Sequence, residues 1–319
     1  MSPWRRLVWS LFKKAIGLFD NEKILTLLVA RCPTDADAGL LKKLEFQPVH
    51  DEVANGSSEP EVPSPSEGLL APWLTSLSSS GRMPEIRRRI QYRVIFPEAA
   101  FSYQMEIRLN HSPECLFWCS VPQKRLLTCL LKCRRKTRMV DVGAHIGSAT
   151  LPASFLFREV VALEPCAATF GRLQVNLALN RRENVQAIHA GAGSKEGEDW
   201  LTFAEGQSGG ASLKSEKNRK HRERIRLKAL DVLISQAVDF LKVDTEGWDL
   251  EVLRGATRIL RDHQPDLFLE LGSADQVAAL RSLLPEDYRI SHEGDWISLE
   301  QYEPKGMGCT DLYLSTCWS

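Results

Sequence analysis

The sequence predicts an α/β fold: a mostly parallel sheet with helices on both faces, preceded by a helical N-terminal extension. Three observations carry this. The run Met139-Val-Asp-Val-Gly-Ala-His-Ile-Gly147 is an apolar strand that ends in Asp141 and turns through two glycines into a helical stretch at 148–157. After it, strand-like and helix-like runs alternate, the pattern of a parallel sheet covered by helices. The second of those strands, Val160-Val-Ala-Leu-Glu164, again ends in an acid.

Residues 1–50 read as two or three short helices. The first, 1–19, has no acidic residue but carries Arg5, Arg6, Lys13 and Lys14. Its apolar positions recur at helical spacing, from Trp4 and Leu7 to Ile16 and Phe19. Such a face docks on its own domain, lies on a membrane surface or serves as an organelle-targeting segment. The expected location is cytoplasmic, with membrane-peripheral or organellar placement through this segment as the alternative. Residues 51–82 read as a disordered linker, because their first part, DEVANGSSEPEVPSPSEG, is dense in Pro, Ser and Glu and lacks aromatics.

The globular domain is expected over 83–319. Residues 103–109 alternate like a half-buried strand, and 122–133 read as a helix leading into the first parallel strand. Parallel strands are expected at 138–142, 160–164, 185–190, 238–244 and 266–271. The helices between and after them fall at 148–157, 168–179, 249–260 and 274–284. Two later runs, near Tyr288 and over 311–315, close the sheet.

The eight cysteines come without a secretory h-region and read as reduced thiols. Cys115, Cys119, Cys129 and Cys133 have a spacing zinc could use. Cys129 and Cys133, however, share the apolar side of a helix with Leu126, Leu127, Leu130 and Leu131, where cysteine acts as a small hydrophobe. Formal net charge is zero, so no global attraction to nucleic acid or membrane follows.

The glycine turn narrows the ligand. A dinucleotide loop needs glycine at three places so that backbone can touch a pyrophosphate. Here His145 and Ser148 occupy two of them. The turn suits a ligand without a pyrophosphate, such as S-adenosylmethionine. Glu164, 23 positions after Asp141, stands where a ribose diol is held. Asp141 can orient the turn and meet the ligand's ammonium, and the following helix N-terminus can face its carboxylate.

The stretches DVGAHIG, ALEPCAATFGRLQVNLALN, LKVDTEGWDLEVLRGA and PDLFLEL, in that order, resemble the FkbM family of S-adenosylmethionine-dependent methyltransferases over about residues 100–317. The resemblance implies a class I, Rossmann-like methyltransferase domain with a seven-stranded sheet. It implies O-methylation of a hydroxyl on a small molecule, glycan or lipid-linked substrate. It assigns Asp141, Gly143, His145 and Gly147 to the cofactor turn, Glu164 to the ribose and Ser194 to the adenine. Lys242, Asp244 and Glu246 fall beside the transferred methyl, and Glu270 faces the same cleft. Asp249 stands where the family usually has Glu.

The chemistry agrees with that placement. A hydroxyl attacking a sulfonium methyl must lose its proton, and Asp244 or Glu246 offers an acceptor. Lys242 can tune that acceptor or orient the hydroxyl. No metal ligand is assigned, although Asp244, Glu246 and Glu270 are the oxygen ligands magnesium uses.

The stretch 214–228 holds eight Lys and Arg against Glu216 and Glu223. It reads as a solvated basic loop, or as a contact for an anionic acceptor. A nucleic-acid methyltransferase is the alternative it raises. Against that, the chain has Asp244-Thr-Glu-Gly247 in place of the Asn/Asp-Pro-Pro-aromatic segment used on flipped adenines. A non-catalytic S-adenosylmethionine-binding adaptor is the third reading.

Overall fold

A computed structural model describes residues 45–46, 49–51, 87–96, 99–108, 124–203, 221–271, 273–292, 295–304 and 310–317. The expected helix over 1–19 and most of the expected linker lie outside the described residues. Within the extension read as helical, β1 (Glu45–Phe46) and β2 (Val49–Asp51) are strands. Both pair antiparallel with β3 (Arg87–Phe96), which pairs along its length with β4 (Ala99–Arg108).

The domain then runs α1 (Lys124–Lys132), β5 (Arg138–Val142), α2 (Thr150–Leu156), β6 (Glu159–Leu163), α3 (Ala167–Leu179) and β7 (Val185–Ile188). A small sheet follows, of β8 (Gly191–Ala192), β9 (Gly197–Phe203) and β10 (His221–Lys228), in the order β8-β10-β9. The chain continues with α4 (Leu230–Leu233), β11 (Phe240–Val243), α5 (Asp249–Arg254), a π-helical turn at Ile259–His263, β12 (Asp266–Leu271) and α6 (Ala274–Leu283). It closes with β13 (Arg289–His292), β14 (Asp295–Ser298) and β15 (Thr310–Ser315).

The large sheet has the order β14-β13-β15-β12-β11-β5-β6-β7. Strands β7, β6, β5, β11 and β12 are parallel, and β15 is antiparallel to β12. Strand order reverses between β5 and β11, which puts a ligand crevice at the carboxyl ends of those strands. This is the Rossmann-like arrangement of class I methyltransferases, with β14 added as an eighth strand through a hairpin with β13.

Alternation of side chains builds a core on each face. Val140, Leu163, Leu241, Leu267 and Leu269 pack with Val252 and Leu253 of α5 and Val277 and Leu280 of α6. Met139, Val160, Phe240, Phe268 and Tyr313 pack on the other face with α1 and α2. Each such fully buried aliphatic side chain contributes roughly 1.5–3 kcal/mol. Cys129 and Cys133 are not disulfide-bonded and pack inside that second core. Cys115 and Cys119 lie outside the described residues.

Two expectations need correction. The helix expected over 249–260 is interrupted after Arg254 and resumes at 257, running into the π-helical turn, and Gly255 explains the break. A Cβ there would sit 2.0 Å from the Gly193 carbonyl oxygen, so the chain needs glycine for that approach. The basic loop expected over 214–228 is a strand from His221. Its charges sit at alternate positions: Arg222, Arg224 and Arg226 are exposed, while Ile225 and Leu227 bury against Cys166 and Leu201. No helix among the described residues is long and apolar enough to cross a membrane.

Candidate cofactor and active site

The cofactor turn leaves β5 through three residues with left-handed backbone: Gly143 (φ 78°), His145 (φ 53°) and Gly147 (φ 98°). The amides of Gly143 and Ala144 both donate to the Leu163 carbonyl, each at 3.0 Å, which docks the turn on the end of β6. Gly143 is required by contact as well as by φ. A Cβ on it would lie 2.0 Å from the Asp244 carbonyl oxygen. The turn and the end of β11 are therefore packed backbone to backbone.

Glu164 ends β6 and is 6% exposed. Its Oε2 accepts from the His145 amide at 2.8 Å. Its Oε1 accepts from the Cys166 amide at 3.0 Å and the Thr169 hydroxyl at 2.7 Å. Burial raises its pKa above the ordinary carboxylate value, while the hydrogen bonds from Thr169, Cys166 and His145, with the Lys242 charge, pull it back. A carboxylate has about four acceptor positions, so capacity is left for a ligand hydroxyl.

Asp141 and Lys242 are register partners on neighbouring parallel strands. Lys242 Nζ lies 2.9 Å from Asp141 Oδ1 and donates to the Gly143 carbonyl at 3.2 Å. Thr150 donates to Asp141 Oδ2 at 2.6 Å. With Asp141 0% and Lys242 2% exposed, this pair ties β5, the turn, α2 and β11 together from inside. Lys242 also lies 3.8 Å from Asp244 Oδ2, so its charge reaches the cleft through that carboxylate.

Asp244, Glu246 and Glu270 converge. Their carboxylate oxygens lie within 4.8 Å of one another, and all three residues are half-buried. Glu246 has a left-handed backbone (φ 54°) and is followed by Gly247 (φ 94°). Strained backbone of this kind is concentrated at functional sites. Asp249 holds the loop, accepting from the Thr245 hydroxyl at 3.0 Å and the Gly247 amide at 3.2 Å. Burial first, and the Asp244 charge second, push the Asp249 carboxyl up to about 7. Ser194, expected near the adenine, donates to Glu251 Oε2 at 2.8 Å.

Residues 141–290 match the model of the methyltransferase FkbM domain. Over that stretch the chain is similar to FkbM methyltransferases. It is 29% identical over 142 residues to "Methyltransferase 1" of Beauveria bassiana, a match covering 37% of this chain and 57% of that protein. It is 25% identical over 249 residues to "Methyltransferase sdnD" of Sordaria araneosa, covering 73% of this chain and 86% of the relative. The crystal structure of Methyltransferase FkbM from Methylobacillus flagellatus aligns at 24% identity with a TM-score of 0.38, over 56% of this chain and 43% of that one. The chain thus spans little more than half of the first relative and less than half of the crystallised protein.

Several residues that build this site carry no sequence-level signal of a role. Thr150 and Thr169 secure the two acids, and Asn176 on α3 donates to the Ile146 carbonyl at 2.9 Å. Thr169 stood the best chance of being noticed, since it lies five residues after Glu164 in the first turn of the next helix.

Proposed function

We propose that the chain is an S-adenosylmethionine-dependent methyltransferase acting on a hydroxyl of a small molecule or glycan. The observation that carries this reading is a juxtaposition. The end of β11, with Asp244 and Glu246, abuts the turn that Glu164 organises, and Glu270 of β12 joins the same carboxylate cluster.

The donor set fits the cofactor. The residual acceptor capacity of Glu164, at the end of the second parallel strand, suits a ribose hydroxyl. His145 places its side chain on the turn where a dinucleotide loop would need glycine. S-adenosylmethionine supplies the sulfonium methyl. The chain's own residues orient the acceptor and take its proton. Asp244 and Glu246 are the acceptors within reach of the cleft, and Lys242 holds Asp244 from beneath. The expected ammonium contact of Asp141 gives way in this reading to a supporting role, because Asp141 is 0% exposed, enclosed behind Lys242 and Thr150.

The three clustered carboxylates also suit a hard divalent cation such as magnesium. Loss of transfer in EDTA, restored by magnesium, would favour that version of the site. The test of the function itself is a radioactive methyl-transfer screen with S-adenosylmethionine against glycans, lipids, small hydroxyl compounds and RNA. Label on a hydroxyl compound or glycan is expected. Label on RNA alone would overturn the acceptor class, and cofactor binding without transfer to any acceptor would favour an adaptor.

A further inference from the structure

Asn176 of α3 and Asn180 at its carboxyl cap take no part in the proposed chemistry, yet Asn176 is completely buried. Both ends of its side-chain amide are engaged. Oδ1 accepts from the Glu106 amide at 2.7 Å, and Nδ2 donates to the Ile146 carbonyl at 2.9 Å and the Glu106 carbonyl at 3.3 Å. Asn180, one helical turn on, does the same at Gln104, accepting from its amide at 2.7 Å and donating to its carbonyl at 2.6 Å.

The spacing explains the match. Four helical residues rise about 6 Å. Two strand residues rise about 6.8 Å, and residues two apart present their backbone groups to the same edge. The two side chains therefore stand in for a neighbouring strand along the edge of β4. Arg172 adds a weaker contact to the Glu106 carbonyl at 3.4 Å.

Only Asn176 also reaches the cofactor turn. Ile146 lies between His145, whose amide is held by Glu164, and Gly147, against which Leu173 of the same helix packs. The turn is thus gripped by Glu164 and, through Asn176, by a helix that is itself locked to β4. We infer that Asn176 is a positioning residue for the cofactor turn and couples the order of that turn to the docking of β4. The inference rests on the proposed binding of S-adenosylmethionine at the turn.

The test compares Asn176→Ala with Asn180→Ala in the full chain, reading S-adenosylhomocysteine affinity by calorimetry and stability by thermal melting. Both variants lose strand-docking hydrogen bonds, so both lower Tm. Only Asn176→Ala loses the turn contact, and its Kd is expected to rise about tenfold while that of Asn180→Ala stays within about twofold. Equal Kd in the two variants overturns the inference. A wild-type chain that binds neither S-adenosylmethionine nor S-adenosylhomocysteine overturns the functional reading and this inference together.

Hydrogen exchange on the wild type supplies a reading that needs no variant. The ligand is expected to slow exchange of the Gln104 and Glu106 amides, which Asn180 and Asn176 hold. Exchange there that is unchanged by saturating ligand overturns the coupling.

Discussion

Replacing Gly143 with alanine tests the contact on which the site is built. The backbone there has φ 78°, a conformation costing an L-residue roughly 1–2 kcal/mol. The added methyl meets a larger obstacle, since its Cβ would lie 2.0 Å from the Asp244 carbonyl oxygen and 3.1 Å from that carbonyl carbon. Neither atom can rotate away, because Asp244 N is bonded to the Val142 carbonyl at 3.1 Å and the Gly143 amide to Leu163 at 3.0 Å. The turn and β11 must separate by more than an ångström. Strain at a special backbone position combined with overpacking belongs among the largest single-substitution effects, on the order of 4 kcal/mol or more. For a domain of this size that lowers Tm by roughly 10 °C. Gly171→Ala is the internal control, because nothing lies within 4 Å of its added methyl on helix α3. Alanine there is expected to stabilise by about 0.5–1 kcal/mol. Scanning calorimetry and S-adenosylhomocysteine titration read both variants. A Gly143→Ala protein with wild-type Tm and affinity would refute the packed contact between the turn and the end of β11.

Three further outcomes follow from the same geometry. Asp244→Asn or Glu246→Gln is expected to abolish methyl transfer while leaving cofactor affinity within about threefold, a ground-state contact being untouched; full activity in both variants would remove these residues from the chemistry. Lys242→Met strands a buried Asp141 carboxylate and is expected to cost about 3–5 kcal/mol in urea unfolding, part of which Asp141→Asn in the same chain recovers; a cost under about 1 kcal/mol would show that the pair is not structural. The Asp249 carboxyl is raised from 3.8 to about 7, so between those values the native state holds a proton that the unfolded state has released. Its contribution is fully present below pH 4 and lost as pH rises through 7, by at most about 4 kcal/mol. Asp249→Asn is expected to flatten that part of the stability–pH curve, and an unchanged slope would assign the dependence to other groups.

The parallel strands were legible because they are buried on both faces. Met139-Val140, Val160–Leu163 and Phe240-Leu241 are their apolar stretches; β6 and β11 close just before Glu164 and Asp244, and β5 carries Asp141 one residue from its end. What was hidden depends on which strands become neighbours. Lys242 and Asp141 are 101 positions apart, and only the β5–β11 register reveals them as a pair that supports the site from within. Strand β10 read as a charged loop because Arg222, Arg224 and Arg226 are its outward face, and only Ile225 and Leu227 mark the inward one. Gly255 falls inside the helix expected over 249–260, and only the Gly193 backbone packed against it shows why the helix breaks there. Glu246 gave no sign of its left-handed backbone, since glutamate rarely adopts one. Asn176 was equally silent. Its partners, Ile146 and Glu106, lie 30 and 70 residues away.

The central claim is that the crevice between β5, β6 and β11 binds S-adenosylmethionine through Glu164. Calorimetric titration of the full chain with S-adenosylhomocysteine, beside Glu164→Gln, tests it directly. Glu164 accepts from the His145 and Cys166 amides and the Thr169 hydroxyl, and an amide nitrogen at either oxygen position turns an acceptor into a donor facing those groups. The account predicts saturable binding by the wild type and affinity at least about tenfold weaker in the variant. No binding by the wild type at millimolar ligand, or equal affinity in the two proteins, would contradict it.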